Sequence, residues 1–235
     1  MNDINNCIFV FDLDGTIIHK DCNLCEIDTL LSTNSDRFIS IVNSARDFQN
    51  NLDHLFTKFN PDFVIAESGL KLFKKGNPIE EWNLLSEVFC EQNELLHICS
   101  HIKNRISSDD TELIFERPNL VKIKPDFLRE DLLLFIEKLL IGTDFLLIKN
   151  NGKQKIIHNK FNKCVALQFL LKDLPYQNLI TAGDTVEDID FVKQGNICFL
   201  SNRVKAYTNR IITFDKNDAG IVLLNKIFRQ MEVNI

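Results

Sequence analysis

Two carboxylates stand two residues apart directly after a short apolar run near the start of the chain. Residues 7–11 (Cys-Ile-Phe-Val-Phe) are followed by Asp-Leu-Asp-Gly-Thr at positions 12–16. Such a run predicts a buried strand, and at the end of a strand both carboxylates can serve one site. Asp12 is the candidate nucleophile toward phosphorus, and Asp14 is the candidate acid and base. Thr16 is placed to hold Asp14 in position.

A second acid pair follows another predicted strand late in the chain. The segment at 182–188 reads Ala-Gly-Asp-Thr-Val-Glu-Asp. Asp184 at the strand end and Asp188 one helical turn later can face the same cation. Magnesium prefers oxygen ligands, which such a cluster supplies. The alternative is an acidic helix cap whose first-turn acids complement the helix dipole.

A hydroxyl group and a cation complete the candidate set. Ser44 and Arg46 stand between a predicted strand and a predicted helix, and a hydroxyl beside the N–H groups at a helix start can seat a phosphate. Lys163 lies near the start of a later helix, where its ammonium can pair with Asp12 and a transferring phosphoryl group. The alternatives are that Ser44 only caps the helix and that the lysine is solvated at the surface, with Lys160 as a competitor.

Alternating strands and helices predict how these residues meet. Parallel strands covered by helices form a doubly wound sheet, and the carboxyl ends of its strands converge on one crevice. The predicted strands are 7–11, 37–43, 62–66, 178–182, 197–200 and 210–214. The predicted helices are 46–59, 161–172, 186–194 and 219–231.

The middle of the chain breaks this alternation. It predicts a helix, a hairpin, a second helix and a second hairpin, at 80–106, 112–124, 125–141 and 145–158. We interpret this α+β module as a cap inserted into a Rossmann-like parallel-sheet core. The predicted division places the core at 1–75 and 159–235 and the cap at 76–158.

The ordered series of motifs resembles the haloacid-dehalogenase (HAD) superfamily of phosphatases. The matching positions are 12–16, Ser44, Lys163, and Gly183-Asp184 with Asp188. The position of the insert resembles the branch with a large α/β cap, which includes sucrose-phosphatase-like and Cof-like sugar phosphatases. Residues 64–70 (Val-Ile-Ala-Glu-Ser-Gly-Leu) are similar to the stretch that leads from core to cap in that branch.

The resemblance implies a role for each matching position. Asp12 is expected to be the nucleophile and a Mg²⁺ ligand, while Asp14 is expected to be the acid and base and to bind the metal through its backbone carbonyl. Asp184 is expected to complete the metal site, with Asp188 either as a further ligand or as a partner of the ligands. The residues expected to contact the phosphorylated substrate are Thr16, Ser44, Arg46 and Lys163.

The sequence departs from the family pattern at three places. Ser-Ala-Arg at 44–46 stands where many relatives have Thr-Gly-Arg, and Cys164 replaces a frequent Gly. Glu187 occupies a position where Asn is common, so it is expected to influence the metal site.

Composition excludes several classes of protein. A net charge of −6 and a scattered distribution of Lys and Arg count against nucleic-acid binding. The chain shows neither a signal-peptide pattern nor a run of about 20 apolar residues, so no membrane association is expected. The odd number of cysteines, 7, argues against a disulfide framework and favours a reduced, cytoplasmic protein.

The sequence therefore predicts a Mg²⁺-dependent hydrolase of a small phosphorylated metabolite, such as a sugar phosphate, through an aspartyl-phosphate on Asp12. A phosphosugar mutase of the same superfamily is the alternative with the same chemistry. Two alternatives belong to other classes, namely a phospho-accepting receiver domain and a non-catalytic interaction protein on a phosphatase scaffold.

Overall fold

The computed structural model describes residues 7–91, 94–105, 112–124, 128–150, 153–204 and 211–234. In chain order the strands are β1 (Cys7–Phe11), β2 (Ile39–Asn43), β3 (Phe63–Ala66), β4 (Lys71–Lys74), β5 (Asn77–Pro78), β6 (Glu112–Arg117), β7 (Leu120–Lys124), β8 (Phe145–Asn150), β9 (Lys153–His158), β10 (Asn178–Gly183), β11 (Ile197–Ser201) and β12 (Ile211–Phe214). The helices are α1 (Leu24–Thr33), α2 (Glu80–Glu91), α3 (Glu94–Arg105), α4 (Glu130–Leu140), α5 (Lys163–Leu171), α6 (Ile189–Val192) and α7 (Ile221–Asn234).

The larger sheet has eight strands in the order β12-β11-β10-β1-β2-β3-β4-β5. The six strands from β12 to β3 run parallel, and the β4–β5 hairpin adds an antiparallel edge. All five residues of β1 are buried, as an apolar strand covered on both faces requires. Separate hydrophobic clusters pack on the two faces of this sheet. The predicted α/β fold with a parallel central sheet is confirmed.

The smaller sheet is a four-stranded antiparallel sheet in the order β6-β7-β9-β8. One face packs on α3 and α4 in a hydrophobic cluster of its own, which includes Val121, Ile136 and Ile156. Both predicted hairpins are present in it. The proposed limits of the insert, 76 and 158, stay predictions.

Helix α2 packs on the hydrophobic cluster that covers one face of the larger sheet. Its Trp82 is buried against Phe161 and Phe169, and the indole N–H donates to the carbonyl oxygen of Gly69 at 3.1 Å. The helix predicted over 80–106 is observed as α2 and α3, and residues 92–93 and 106 lie outside the described residues. Residues 151–152 of the second predicted hairpin and residues 125–127 of the helix predicted over 125–141 also lie outside them.

The helix predicted over 46–59 is wrong. The segment forms one wide turn at Phe48–Leu52 and then continues without regular structure. The physical reason is that the end of the segment is held by α1, an element that the sequence analysis did not assign.

Asp28 of α1 is the residue that holds this segment. Its buried carboxylate accepts hydrogen bonds from the backbone N–H groups of Thr57, Lys58 and Phe59 at 2.9, 3.0 and 2.8 Å. The Thr57 hydroxyl donates a further one at 2.8 Å. Burial raises the pKa of Asp28, but these hydrogen bonds outweigh burial and lower the pKa below its usual value.

We predict that Asp28→Ala lowers the free energy of unfolding by roughly 3 kcal/mol, because three backbone N–H groups, of which that of Phe59 is buried, lose a charged acceptor. Urea unfolding at neutral pH measures this. Since the folded-state pKa is lowered, the stabilisation is present above the unfolded pKa and is lost as the pH falls through the folded value. Asp36→Ala, at an exposed acid, is the control and should change stability by only a few tenths of a kcal/mol. Equal effects of the two variants would contradict the prediction.

Candidate active site

The candidate site lies at the carboxyl ends of adjacent parallel strands. Strand β1 pairs with β10 on one side and with β2 on the other, so Asp12, Asp184 and Ser44 follow neighbouring strands. The N–H of Asp12 donates to the carbonyl oxygen of Ala182 at 2.9 Å, which carries the pairing one residue past β1. The strand ends therefore bring together residues that are 172 positions apart in the chain, from 12 to 184.

A buried ammonium group joins two of the predicted acids. The Nζ of Lys163 lies 2.5 Å from Oδ1 of Asp12 and 2.8 Å from Oδ1 of Asp188. All three residues are buried. The surface alternative for Lys163 is therefore wrong, and the competitor Lys160 instead pairs with Asp144 at 2.6 Å.

Helix α5 presents Lys163 from its first position. The side chain of Asn162 caps the helix by accepting from the N–H groups of Cys164 and Val165 at 3.0 and 3.1 Å. Asn43, at the end of β2, donates from its side chain to the carbonyl oxygen of Lys163 at 3.3 Å. The sequence analysis did not single out Asn43, although it directly precedes Ser44 at a strand end.

Three carboxylates come close enough to share a cation. One oxygen from each of Asp12, Asp184 and Asp188 lies within 4.8 Å of the others. Burial is the main cause that raises the pKa of Asp12 well above its usual range, against the opposing charge of Lys163. Burial, followed by the charge of Asp188, raises the pKa of Asp184 to about 7. Three acids facing one ammonium leave an excess of negative charge, which a divalent cation would balance.

The two oxygens of Asp188 already have partners. Oδ1 binds Lys163, and Oδ2 accepts from the N–H groups of Asp184 and Thr185 at 3.2 and 2.9 Å and from the Thr185 hydroxyl at 2.7 Å. The motif thus also caps a helix, although the capping residue is Thr185 and not an acid, with Asp188 as its reciprocal partner. Asp188 is better placed to orient Lys163 and the Asp184 loop than to bind a metal directly.

Thr16 contacts different acids from the one expected. Its hydroxyl lies 3.4 Å from Oδ2 of Asp12 and 3.5 Å from Oδ1 of Asp184. The prediction that Thr16 holds Asp14 in position is therefore wrong, because the turn directs the Thr16 side chain into the acid cluster.

Asp14 points away from the acid cluster. Its carboxylate, half-exposed, forms two hydrogen bonds with the guanidinium of Arg46, at 2.8 and 2.6 Å. Hydrogen bonding to Asp14 is the main cause that raises the pKa of Arg46. Among the described residues the side chain of Asp14 is not part of the acid cluster, and its predicted metal ligand, the backbone carbonyl, stays a prediction.

Ser44 is buried beneath Arg46. Its hydroxyl accepts from the Arg46 N–H at 3.1 Å, and its own N–H donates to the carbonyl oxygen of Ile65 at 2.8 Å. No regular helix follows it, so the seat that Ser44 offers to an anion comes from a loop.

Glu187 does not join the acid cluster. Its carboxylate pairs with the ammonium of Lys155 on β9 at 2.5 Å, with both side chains largely buried. Glu187 thereby links the smaller sheet to the loop that carries Asp184 and Asp188, and its expected influence on the metal site stays a prediction.

Glycine is required at two positions beside the acids. Gly15 has φ +89°, and a Cβ there would lie 2.1 Å from an oxygen of Asp184. At Gly183 a Cβ would lie 2.5 Å from the Cβ of Asp188. The backbone thus approaches the carboxylates more closely than any side chain would allow.

No family model matches the sequence, and no curated protein matches it. Solved structures with the same fold are similar over nearly the whole chain. Sucrose-phosphatase from Synechocystis sp. PCC6803 has a TM-score of 0.72 at 13% identity and covers 97% of this chain and 98% of its own. The C-terminal domain of trehalose-6-phosphate phosphatase from C. albicans has a TM-score of 0.61 at 15% identity, with coverages of 97% and 92%. A haloacid dehalogenase-like hydrolase from B. subtilis has a TM-score of 0.59 at 13% identity, with coverages of 98% and 100%.

The chain has the haloacid-dehalogenase fold. The observed strand order and the inserted antiparallel sheet agree with the resemblance drawn from the motifs. At these identities the comparison establishes only the fold of the chain. An argument about function must therefore rest on the residues of the chain itself, such as the acid cluster.

We predict that Asp184→Asn stabilises the protein at pH 8 in EDTA by on the order of 1 kcal/mol, allowing for partial exposure of the group. The raised pKa means that folding costs free energy once Asp184 ionises. Stability therefore falls as the pH rises from about 4 to about 7, and the variant removes this penalty. Urea unfolding at pH 5 and pH 8 measures the difference, which should shrink at pH 5.

Asp173→Asn, at an exposed acid outside the site, is the matched control. It should leave the stability of the metal-free protein nearly constant at both pH values. If Asp184→Asn instead destabilises the protein at pH 8, the prediction is contradicted. Attractive contacts of the ionised carboxylate would then outweigh the cost of burying it.

Proposed function

We propose that this protein is a Mg²⁺-dependent phosphomonoester hydrolase that forms an aspartyl-phosphate on Asp12. The observation that carries the proposal is the buried contact of Asp12 with Lys163, 2.5 Å long, at the strand ends of a haloacid-dehalogenase fold. A carboxylate held by an ammonium in a closed site can act as a nucleophile, and the same ammonium can bind a phosphoryl oxygen. Sucrose-phosphatase and trehalose-6-phosphate phosphatase share the fold.

The proposed reaction has two steps. First, an oxygen of Asp12 bonds to phosphorus while the bond from phosphorus to the leaving oxygen breaks, and Asp14, as the acid, gives its proton to that oxygen. Second, Asp14, now the base, takes a proton from water as the water oxygen bonds to phosphorus. The bond between phosphorus and Asp12 then breaks, which releases phosphate and restores the carboxylate.

Asp14 must part from Arg46 to perform these transfers. A substrate phosphate carries more negative charge than a carboxylate and also offers oxygens in a geometry that suits a guanidinium. In the proposed mechanism the substrate draws Arg46 away from Asp14, so that binding releases the acid. Ser44 contributes to the same seat, because a hydroxyl that accepts one hydrogen bond can still donate one to a phosphoryl oxygen.

The residues present fit a magnesium ion. Asp12 and Asp184 offer carboxylate oxygens in a cluster with excess negative charge, and the carbonyl of Asp14 is the further proposed ligand. When bound, the ion would neutralise charge on the acids and on the phosphoryl group. Asp188 supports the site by orienting Lys163.

The proposed substrate is a small phosphorylated metabolite, with sugar phosphates as the leading class. We also propose that the protein works in the reducing cytoplasm, without nucleic-acid or membrane partners. None of the six cysteines with described side chains forms a disulfide bond, in support of a reducing compartment. None of the helices in the described part of the chain combines the length and the apolar character needed to cross a bilayer.

We predict that the purified protein releases phosphate from a panel of phosphomonoesters with Mg²⁺, and that EDTA abolishes the activity. Asp12→Asn should lower kcat at least 1,000-fold, roughly the loss expected when a covalent nucleophile is removed. A colorimetric phosphate assay measures both. Asp173→Asn controls for the general effect of replacing an acid. Activity that survives in Asp12→Asn would contradict the nucleophile, and activity in EDTA would contradict the metal.

We predict that the effect of Asp14→Asn depends on the leaving group. An alkyl phosphate needs a proton on its leaving oxygen, whereas p-nitrophenolate leaves as a stable anion. The first step should therefore slow by roughly 100-fold or more for alkyl phosphates and much less for p-nitrophenyl phosphate. Single-turnover phosphate transfer measures this step. Equal losses for both substrates would mean that Asp14 does not protonate the leaving oxygen.

A further inference from the structure

A groove of about 980 Å³ lies along the edge of the larger sheet, bounded by the loop at 47–53, the β4–β5 hairpin and helix α2. Its apolar lining includes Phe48, Phe73, Pro78 and Leu84, and the rings of Phe48 and Phe73 stack with their centroids 3.9 Å apart. None of the three acids of the candidate active site is among the described residues that line it. The groove is therefore a second concave surface of the chain, to which the proposed reaction assigns no role.

The lining of this groove is acidic. Its described residues supply one ammonium, that of Lys71, and five carboxylates, those of Asp47, Asp53, Glu67, Glu80 and Glu87. The ammonium is already engaged in an ion pair with Glu87. Soluble surfaces usually intersperse charges of both signs, because like charges that lie close together repel. An excess of carboxylates around an apolar floor is complementary to a partner that carries positive charge.

Helix α2 continues the apolar surface outside the groove. Trp82 anchors the inner face of this helix and is 5% exposed, whereas Leu84, Leu85 and Val88 on the outer face are 60%, 50% and 58% exposed. A helix turns by about 100° per residue, so these three side chains form one stripe, which we call the α2 stripe. Residues 80–91 contain four Glu and no Lys or Arg. Single exposed apolar residues are normal, but a contiguous stripe among acids alone indicates an interaction surface.

Two kinds of occupant fit this surface poorly. Strand β5 at the sheet edge consists only of Asn77 and Pro78, and proline has no N–H, so a partner strand finds no ladder to extend. A second copy of the chain, related by a two-fold axis, would bring the same acids face to face, where they repel. A helix fits better, because apolar side chains one and four positions apart form a ridge that packs against another helix.

We infer that the groove and the α2 stripe bind a helix of another protein, one that presents leucine-like side chains flanked by lysine or arginine. Its apolar side chains pack on the α2 stripe and enter the groove at Leu84, and its cations lie against Glu80 and Glu87. The partner is thus a protein with a basic amphipathic helix. The inference does not depend on the proposed phosphatase function, because none of these residues takes part in the proposed reaction.

A designed peptide serves as the probe. It has about 18 residues of Leu and Lys, long enough to form a helix, with all leucines on one face and a fluorescein label. Fluorescence anisotropy with the full chain should show saturable binding with a Kd on the order of 10 μM, as for a small transient interface. A peptide of the same composition with its leucines spread around the helix keeps the charge but loses the apolar face. It should bind at least roughly tenfold more weakly.

A double variant tests the apolar part of the surface. Leu84→Ser combined with Val88→Ser should weaken binding of the first peptide by roughly tenfold or more, because two exposed apolar contacts are lost. Leu134→Ser combined with Leu146→Ser is the matched control, since these leucines are 50% and 52% exposed and do not line the groove. The control should keep the wild-type affinity.

A charge reversal tests the acidic part independently. Glu80→Lys should weaken binding of the first peptide by roughly fivefold, because it removes an attraction and adds a repulsion. Glu130→Lys is the matched control, since both acids are exposed and each is the first residue of its helix. Both variants lose the same favourable contact with a helix N-terminus, and only Glu80→Lys should change the affinity. Urea unfolding checks that every variant is folded.

The outcomes separate the possible occupants. No saturable binding by the wild type, or equal binding of the two peptides, would overturn the inference. Wild-type affinity in the folded Leu84→Ser and Val88→Ser double variant would overturn it as well. If light scattering shows that the free protein is a dimer which this double variant dissociates, the occupant is a second copy, and the assignment to another protein is wrong. Release of phosphate from p-nitrophenyl phosphate bears on the proposed function alone and should be the same in all these variants.

Discussion

The site depends on one buried ammonium held between two carboxylates. Removing a charge from water is costly unless it is paired at short range, and Lys163 meets this requirement with Asp12 at 2.5 Å and Asp188 at 2.8 Å. Burial alone would lower the pKa of Lys163, but the two carboxylates outweigh it and hold the lysine in its charged form. The loss of any one of the three would leave the others buried with an incomplete set of partners. The fold must therefore bring β1, α5 and the loop after β10 to one point.

The surrounding backbone is built to keep that point compact. Gly15 and Gly183 let the chain pass closer to Asp184 and Asp188 than a Cβ would permit. Asp188 closes a reciprocal cap with Thr185 and at the same time faces Lys163. The same residues thus end a strand, start a helix and present carboxylates to the acid cluster, so a helix-capping role is compatible with the chemical role proposed for this motif.

The smaller sheet is linked to the core beside the acids. Lys155 on β9 pairs with Glu187, the residue next to Asp188, and Asn119 bonds the carbonyl oxygens of Ser68 and Phe161. Between these links lies a cavity that Lys163 borders.

The sequence by itself determined the parallel core and the antiparallel sheet of the middle segment. It also placed Asp12, Ser44 and Asp184 after strands, and Lys163 and Asp188 near helix starts. Apolar runs that are followed by Asp or Ser indicate strand ends, because the order of apolar and polar residues is a local property of the chain. Beyond the pair of Lys163 with Asp12, only the tertiary structure decided what the polar groups contact. Asp14 pairs with Arg46 and Thr16 turns to Asp12 and Asp184.

The prediction of a helix over 46–59 failed for the same reason, a contact with a distant segment. Asp28 of α1 binds backbone N–H groups that the helix would have used. The partners of Glu187, Ser68 and Asn119 also come from distant segments of the chain. Their chemistry depends on distances across the fold, which no spacing along the sequence encodes.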